Sequence, residues 1–239
     1  CCLTPLILGF VIPLFRLMSW AWISRDKASA LVSIEMISNS LGLSIISSIS
    51  IVLIALLLVF TSRYFNSYVI NFSNRLATLG YSIPGAVIAI GILLFTAQIN
   101  AVTNFVLTGS LVLLVFAYIV RYLAVACQPI NAGIETNCDS LNNASKSLGS
   151  STYTSLRLVN IPLIKNTLIT AGLLVFIDII KELPLTLILR PFNFETLSTA
   201  TFDLSSQAQI IEASLPALCM IAVVLVPLVY LNYRLDNSR

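Results

Sequence analysis

Long runs of apolar residues, broken by short polar segments, set the pattern of this chain. Cys2 to Trp22 is a first run, with Arg16 near one end and Trp20 and Trp22 as interfacial rings. Met36 to Ser62 is free of charge, and so is Leu76 to Val120, which is long enough for two crossings. Its polar patch from Gln98 to Asn104 is the natural place to turn. Thr167 to Leu189 and Ala213 to Tyr233 follow. A bilayer core takes about 20 apolar residues as helix, so the runs predict six transmembrane helices. Barrel strands would be shorter and would alternate. The expected fold class is therefore an all-α membrane protein.

Composition agrees. The chain has 239 residues, 58% of them hydrophobic and only 10% charged, with a mean hydropathy of +0.96. Soluble domains carry about 25% charged residues. The length suits one domain, and a scattered net charge of +3 offers no nucleic-acid surface. The five cysteines form no C-x-x-C pair and there is no histidine, so zinc or haem would find few ligands. The cysteines read as small apolar fillers. The chain opens on Cys1 rather than Met. A lipidated cysteine is disfavoured because the apolar run begins at once; a portion of a longer or fused chain is the expectation.

Basic residues orient the bundle. With a cytoplasmic N-terminus, eight fall inside: Arg63, Arg75, Arg121, Lys146, Arg157, Lys165, Arg234 and Arg239. The outer loops hold three, Arg25, Lys27 and Arg190, while Arg16 and Lys181 lie in spans near the outer face. The positive-inside rule then places the polar interlude from Asn131 to Pro162 in the cytoplasm and the stretch from Arg190 to Glu212 outside.

Within the interlude, Asn143, Ala144 and Ser145 present small side chains, Gly149 permits a tight turn, and Ser150 to Thr152 can cap a following helix. A docking ridge for a soluble partner and a plain solvated connector both fit these residues. Pro84 and Gly85, with Gly80 and Gly91 nearby, lie within the third expected span. They read equally as an ordinary kink or as a gating element. Asp178, Lys181 and Glu182 are three and four residues apart on one helical face, and Pro184 follows them. Charges in a span face a cavity or one another. They therefore line a path or its outer gate, or Asp178 and Lys181 form a self-contained pair.

Asn143-Ala144-Ser145, three residues, Gly149, nine residues, then Val159, Ile161 and Pro162 resembles the EAA loop of bacterial ABC importer permeases. Asn143 replaces the glutamate and Ser145 an alanine, which removes a charge-assisted contact to the partner. Lys181-Glu182-Leu183-Pro184 through Arg190-Pro191-Phe192-Asn193-Phe194-Glu195-Thr196-Leu197 is similar to the segment typical of the ferric-iron group of these permeases. Tyr81 to Gly91 resembles that group's third-span segment. The likeness covers nearly the whole chain.

The resemblance implies a type I importer permease (MetI-like) bundle: one ABC transmembrane type-1 domain over residues 1–239, with a core of about 36–233 and a cytoplasmic coupling loop at 131–162. It implies the C-terminal six-helix half of a permease in the bacterial inner membrane, multi-pass, paired with a second half that is fused, identical or different. A separate nucleotide-binding ATPase subunit would hold ATP and Mg and grip Asn143–Gly149, with Val159, Ile161 and Pro162 completing the motif. This chain would carry no cofactor and do no catalysis, and it has no G-x-x-x-x-G-K-[ST] loop. A periplasmic solute-binding protein would meet the outer face, for which Arg190, Asn193 and Glu195 are candidates beside the reading of a bland loop. Asp178, Lys181, Glu182, Pro184, Pro84 and Gly85 are the candidates for the path or gate. Ferric iron is the expected cargo; thiamine, a phosphonate or a polyamine is the alternative within the fold. A proton-coupled carrier relaying through Asp178 and Glu182 is the alternative outside it, and a membrane enzyme is the weakest reading.

Overall fold

The computed structural model describes residues 3–65, 68–103, 107–137 and 152–236. Among them every regular element is helical. Helix α1 spans Leu3–Lys27, with a π-helical stretch at Ile7–Val11 ahead of Pro13. Helix α2 is Ile34–Phe65. Tyr68–Thr78 forms α3, followed by a 3-10 turn over Leu79–Ser82. Gly85–Thr103 is α4 and Leu111–Asn137 is α5. After the short turns Thr152–Ser155, Leu156–Asn160 and Ile161–Leu163 come α6 (Lys165–Ile180), α7 (Pro184–Leu189), α8 (Leu197–Ser206) and α9 (Ile210–Asp236).

Four helices are long and apolar enough to cross a bilayer: Leu3–Lys27, Ile34–Arg63, Leu111–Ile134 and Ile210–Tyr233. A fifth crossing is made if Tyr68–Ser82 and Gly85–Ala101, bent by 115° from each other, count as one span. The difference from six has a local cause. The expected span Thr167–Leu189 is divided at Lys181–Leu183, so α6 rises only about 24 Å. Pro184 has no N–H to continue the ladder and its ring would meet the Ile180 carbonyl, so the α6 hydrogen bonding stops although Leu183 keeps right-handed helical angles (φ −106°, ψ −55°). Pro184 instead opens α7.

The same chemistry moves Pro84 from the middle of a span to the start of one. Ile83 is extended (φ −90°, ψ 133°), as a residue before proline prefers. The Val87 and Ile88 N–H groups then bond to the Pro84 carbonyl and begin α4. Helix α4 runs through most of the expected turning patch to Thr103, and a turn is described at Thr108–Gly109. Arg121 also moves. It lies ten residues inside α5 rather than in an inner loop, while Lys146 and Arg239 lie outside the described residues.

Helices α2, α5 and α6 pack on one another and form the core, around Ile51, Ala55, Leu114, Ala117, Tyr118, Ile130 and Val175, all fully or almost fully buried. Close approach depends on glycine at one contact. A Cβ on Gly80 would lie 1.9 Å from the Val120 carbonyl oxygen, so no side chain fits between the turn and α5. Among the described residues helix α1 packs chiefly on α9, and its most apolar stretch holds no fully buried residue. In water that surface would be costly; against lipid or another helix it is ordinary.

Candidate functional site

Two helix breaks, one before α4 and one before α7, meet the middle of α5. At that point Glu182 is buried, with its side chain only 8% exposed, and its carboxylate lies 3.5 Å from Arg121 Nε, whose side chain is 19% exposed. The Tyr122 hydroxyl donates to the same carboxylate, and the Leu185 N–H donates to its other oxygen at 3.3 Å. Arg121 Nη1 donates to the Ile83 carbonyl at 2.7 Å. Gly85 completes the packing, because a Cβ there would sit 2.7 Å from Glu182 Oε1 and 3.2 Å from Arg121 Nη1.

The backbone of Glu182 is equally engaged. Its carbonyl accepts from the Thr186 hydroxyl at 2.8 Å and from the Ser198 hydroxyl at 3.1 Å. Tyr118 and Thr186 share a hydrogen bond of 2.5 Å. Ser40 on α2 accepts from the Leu197 N–H at 2.8 Å, and Asn39 donates to the Glu195 carbonyl at 3.2 Å. Thr196 and Thr199 close a capping box at the head of α8. One polar network therefore joins α2, the start of α4, α5, α7 and α8. Hydrogen bonds engage both Glu182 carboxylate oxygens and Arg121 Nη1, as a buried ion pair requires, whereas Arg121 Nε is buried with only the 3.5 Å approach to the carboxylate.

The path candidates thus separate. Asp178 and Lys181 form an ion pair of 2.8 Å at the end of α6, with the lysine exposed. Glu182 points away from them, into the network. Pro184 is exposed and Gly85 buried beside Arg121, while Pro84 is exposed. On the expected outer face, Arg190 is paired with Asp203 at 3.1 Å. Asn193 adopts a left-handed conformation (φ 61°) and is exposed, and Glu195 is half-buried. A cleft of about 210 Å³ beside it is lined by Ser33, Glu35, Met36, Asn39, Asn193 and Glu195.

Asn143, Ala144, Ser145 and Gly149 lie outside the described residues. Val159 belongs to the π-helical turn Leu156–Asn160. Ile161 is half-buried and Pro162 exposed, while Asn160 and Ile164 are fully buried and tie this end of the interlude to the bundle. Arg121, Tyr122, Tyr118 and Ser198 were not among the sequence candidates. A lone arginine flanked by aromatic and branched residues was the available signal.

No group of three or more potential metal ligands comes together among the described residues. A groove of about 580 Å³ between α2 and α5 is lined by Gly42, Leu43, Ile46, Val115, Phe116 and Ile119 among others, with Ser38 and Asn39 at one end. Such a lining suits a lipid chain or a neighbouring helix, not a hard cation.

Over residues 51–238 the sequence matches the family described as binding-protein-dependent transport system inner membrane component. The chain belongs to that family. It is accordingly an inner membrane protein with several apolar spans, and a transport component by family. It is 29% identical over 218 residues to the Fe(3+)-transport system permease protein FbpB 2 of Haemophilus influenzae, covering 90% of this chain and 42% of that protein. To the putative 2-aminoethylphosphonate transport system permease protein PhnV of Salmonella typhimurium it is 26% identical over 144 residues, covering 60% of this chain and 53% of that protein. The chain therefore spans about half the length, or less, of these curated relatives. In fold it resembles a chain of the bacterial alginate ABC transporter crystallised with an alginate pentasaccharide-bound periplasmic protein. The TM-score is 0.75 at 16% identity, covering 97% of this chain and 91% of that one. The ABC importer permease fold expected from the sequence is the one observed.

Proposed function

We propose that this chain is one half of the permease of an ATP-driven, binding-protein-dependent importer, and that its cargo is ferric iron. The single observation carrying the cargo is the likeness of 90% of the chain to a ferric-iron permease. The network built on Glu182, from the segment whose sequence resembles the iron group, supports the same reading. In this account a periplasmic binding protein delivers iron to the face bearing Asn193 and Glu195. A separate ATPase subunit, holding ATP and Mg, drives the bundle through the loop around Asn143–Gly149. Pairing with a second permease half fits the length of the relatives, of which this chain spans 42% in the ferric case.

A phosphonate is the second reading, favoured by the likeness to the putative 2-aminoethylphosphonate permease. A proton relay through Asp178 and Glu182 is poorly supported, since both carboxylates are engaged by cations. The test is uptake by proteoliposomes containing the co-purified complex and its binding protein. Ferric iron uptake that requires ATP supports the proposal; uptake of phosphonate alone, or uptake driven by a proton gradient without ATP, overturns it. Replacing Gly149 with tryptophan is expected to uncouple ATP hydrolysis from uptake while leaving the bundle folded. Normal uptake by that variant would remove the docking assignment.

A further inference from the structure

Helix α3 is set apart from the bundle by its surface. Tyr68, Val69, Phe72 and Leu76 are 84%, 68%, 52% and 52% exposed, and at 100° per residue they fall within a sector of about 100°. The rings of Tyr68 and Phe72 stack on this face, with centroids 6.4 Å apart and planes inclined by 11°. The axis through α3 and its 3-10 turn is bent by 115° from that of α4. If α4 crosses the membrane, α3 therefore lies close to the membrane plane. A helix with an exposed apolar stripe carrying aromatic rings, held on its other side against the bundle by Ala77, is a form that can rest at a bilayer interface.

Behind the stripe, at the junction of α2, α3 and α5, is a pocket of about 320 Å³ lined by Leu58, Val59, Ser62, Asn74, Arg75, Thr78, Cys127 and Asn131. Its one charged lining residue is Arg75, and no carboxylate lines it. Arg75 has no acidic partner among the described residues, unlike Arg121 and Arg190. It lies about 20° beyond the edge of the apolar sector, so it borders both the stripe and the pocket. The Asn74 amide holds the wall in place by donating to the Leu58 carbonyl at 3.1 Å.

We infer that this junction binds an anionic phospholipid of the cytoplasmic leaflet. Its phosphate would take the pocket at Arg75, with Asn131 and Thr78 at hand, and its acyl chains would cover the Tyr68–Leu76 stripe. The Arg75 cation, unpaired among the described residues, favours a headgroup of net negative charge over a zwitterionic one, whose own ammonium offsets its phosphate. Continuity chooses a lipid over a soluble anion, because exposed apolar residues continue from the stripe through Leu79 and Ile83 of the connecting turn to Val87 and Ile90 on α4. Basic pockets between helices on the cytoplasmic side are suited to anionic headgroups, and the inner-side arginines Arg63 and Arg75 put α3 on that side. The inference is independent of the cargo.

The test is native mass spectrometry of the purified complex, stripped of lipid in detergent and titrated with phosphatidylglycerol or phosphatidylcholine. Phosphatidylglycerol is expected to be retained several-fold better. Arg75→Gln should lower that retention about five-fold, the worth of one basic residue at an anionic surface, and leave phosphatidylcholine unchanged. Arg75→Lys should keep most of it, and Arg25→Gln, which removes equal charge at the other face, all of it. Phe72→Ser should weaken retention as well. Wild-type retention by Arg75→Gln overturns the inference, and so does an equal loss in Arg25→Gln, which would make the effect one of net charge. Full displacement by millimolar inorganic phosphate, with no effect of Phe72→Ser, would make the pocket a soluble-anion site and equally overturn it. Cross-linking of position 72 to a co-purified subunit would put protein over the stripe in place of lipid, and would overturn the inference too.

Discussion

Replacing Arg121 with methionine removes one half of a buried ion pair and leaves Glu182 charged among Tyr122, Leu185 and Gly85. The separation is 3.5 Å and both side chains are largely shielded from solvent. With an effective dielectric constant of about 20, the lost attraction comes to about 5 kcal/mol. That agrees with the roughly 3–5 kcal/mol seen when one partner of a buried pair is removed. For a domain of this size each kcal/mol moves the melting temperature by about 2–4 °C, so the variant should melt roughly 10 °C lower in detergent. Glu182→Gln should lose a comparable amount, because it strands the guanidinium with the Ile83 carbonyl. The double variant Arg121→Met/Glu182→Leu carries no buried charge and should be less destabilised than the sum of the two single changes by about 3 kcal/mol. A melting temperature for Arg121→Met within about 2 °C of the unaltered protein, or strict additivity in the cycle, would refute the reasoning.

Gly80→Ala should destabilise the bundle by about 1–3 kcal/mol or more, since its Cβ would press on the Val120 carbonyl. Gly91→Ala, with nothing within 4 Å, should be neutral or stabilising by up to about 1 kcal/mol; paired thermal melts in detergent decide both. Asn193→Val should cost about 1–2 kcal/mol because of its positive φ, whereas Asn193→Gly should stay close to the parent in the same assay.

Much of the bundle is legible in the sequence because hydrocarbon imposes a simple rule on it. Helices α1, α2 and α9 follow apolar runs almost residue for residue. The rule fails at Arg121, where a charge reads as the end of a span. Its partner stands 61 positions later, and no local pattern announces a contact across that distance. Helix α3 reads as part of an inner loop. Its signal is present, since Tyr68, Val69, Phe72 and Leu76 repeat at helical spacing, but the segment is too short to register as a crossing. At Lys181–Pro184 the residue types are legible, yet their grouping is not. Asp178 and Lys181 pair along the helix as their spacing allows, whereas the break before Pro184 turns Glu182 towards α5. The motif residues Asn143 to Gly149 lie outside the described residues, so their fit to an ATPase rests on the spacing of the sequence and the family.

The position of the Arg121–Glu182 pair follows from what a broken helix needs in a membrane. Backbone groups freed at a break have no water to turn to and must be satisfied by protein. Before α4 the freed acceptor is the Ile83 carbonyl, and Arg121 supplies the donor. Before α7 the Leu185 N–H is taken by the Glu182 carboxylate, and the Glu182 carbonyl by Thr186 and Ser198. The arginine serving the first break and the glutamate serving the second then neutralise each other. Either charge alone, so far shielded from solvent, would be costly, and each break would leave a backbone group without its side-chain partner. The two irregularities are therefore joined into one unit carried on the middle of α5. The lower end of α5, at Gly133, packs against Thr167 at the foot of α6. In the proposed importer, a push delivered through the loop between α5 and α6 would reach both helices together. The unit would then transmit it to α7 and α8 as a rigid displacement, because bending within the network would expose a charge or a bare carbonyl to lipid.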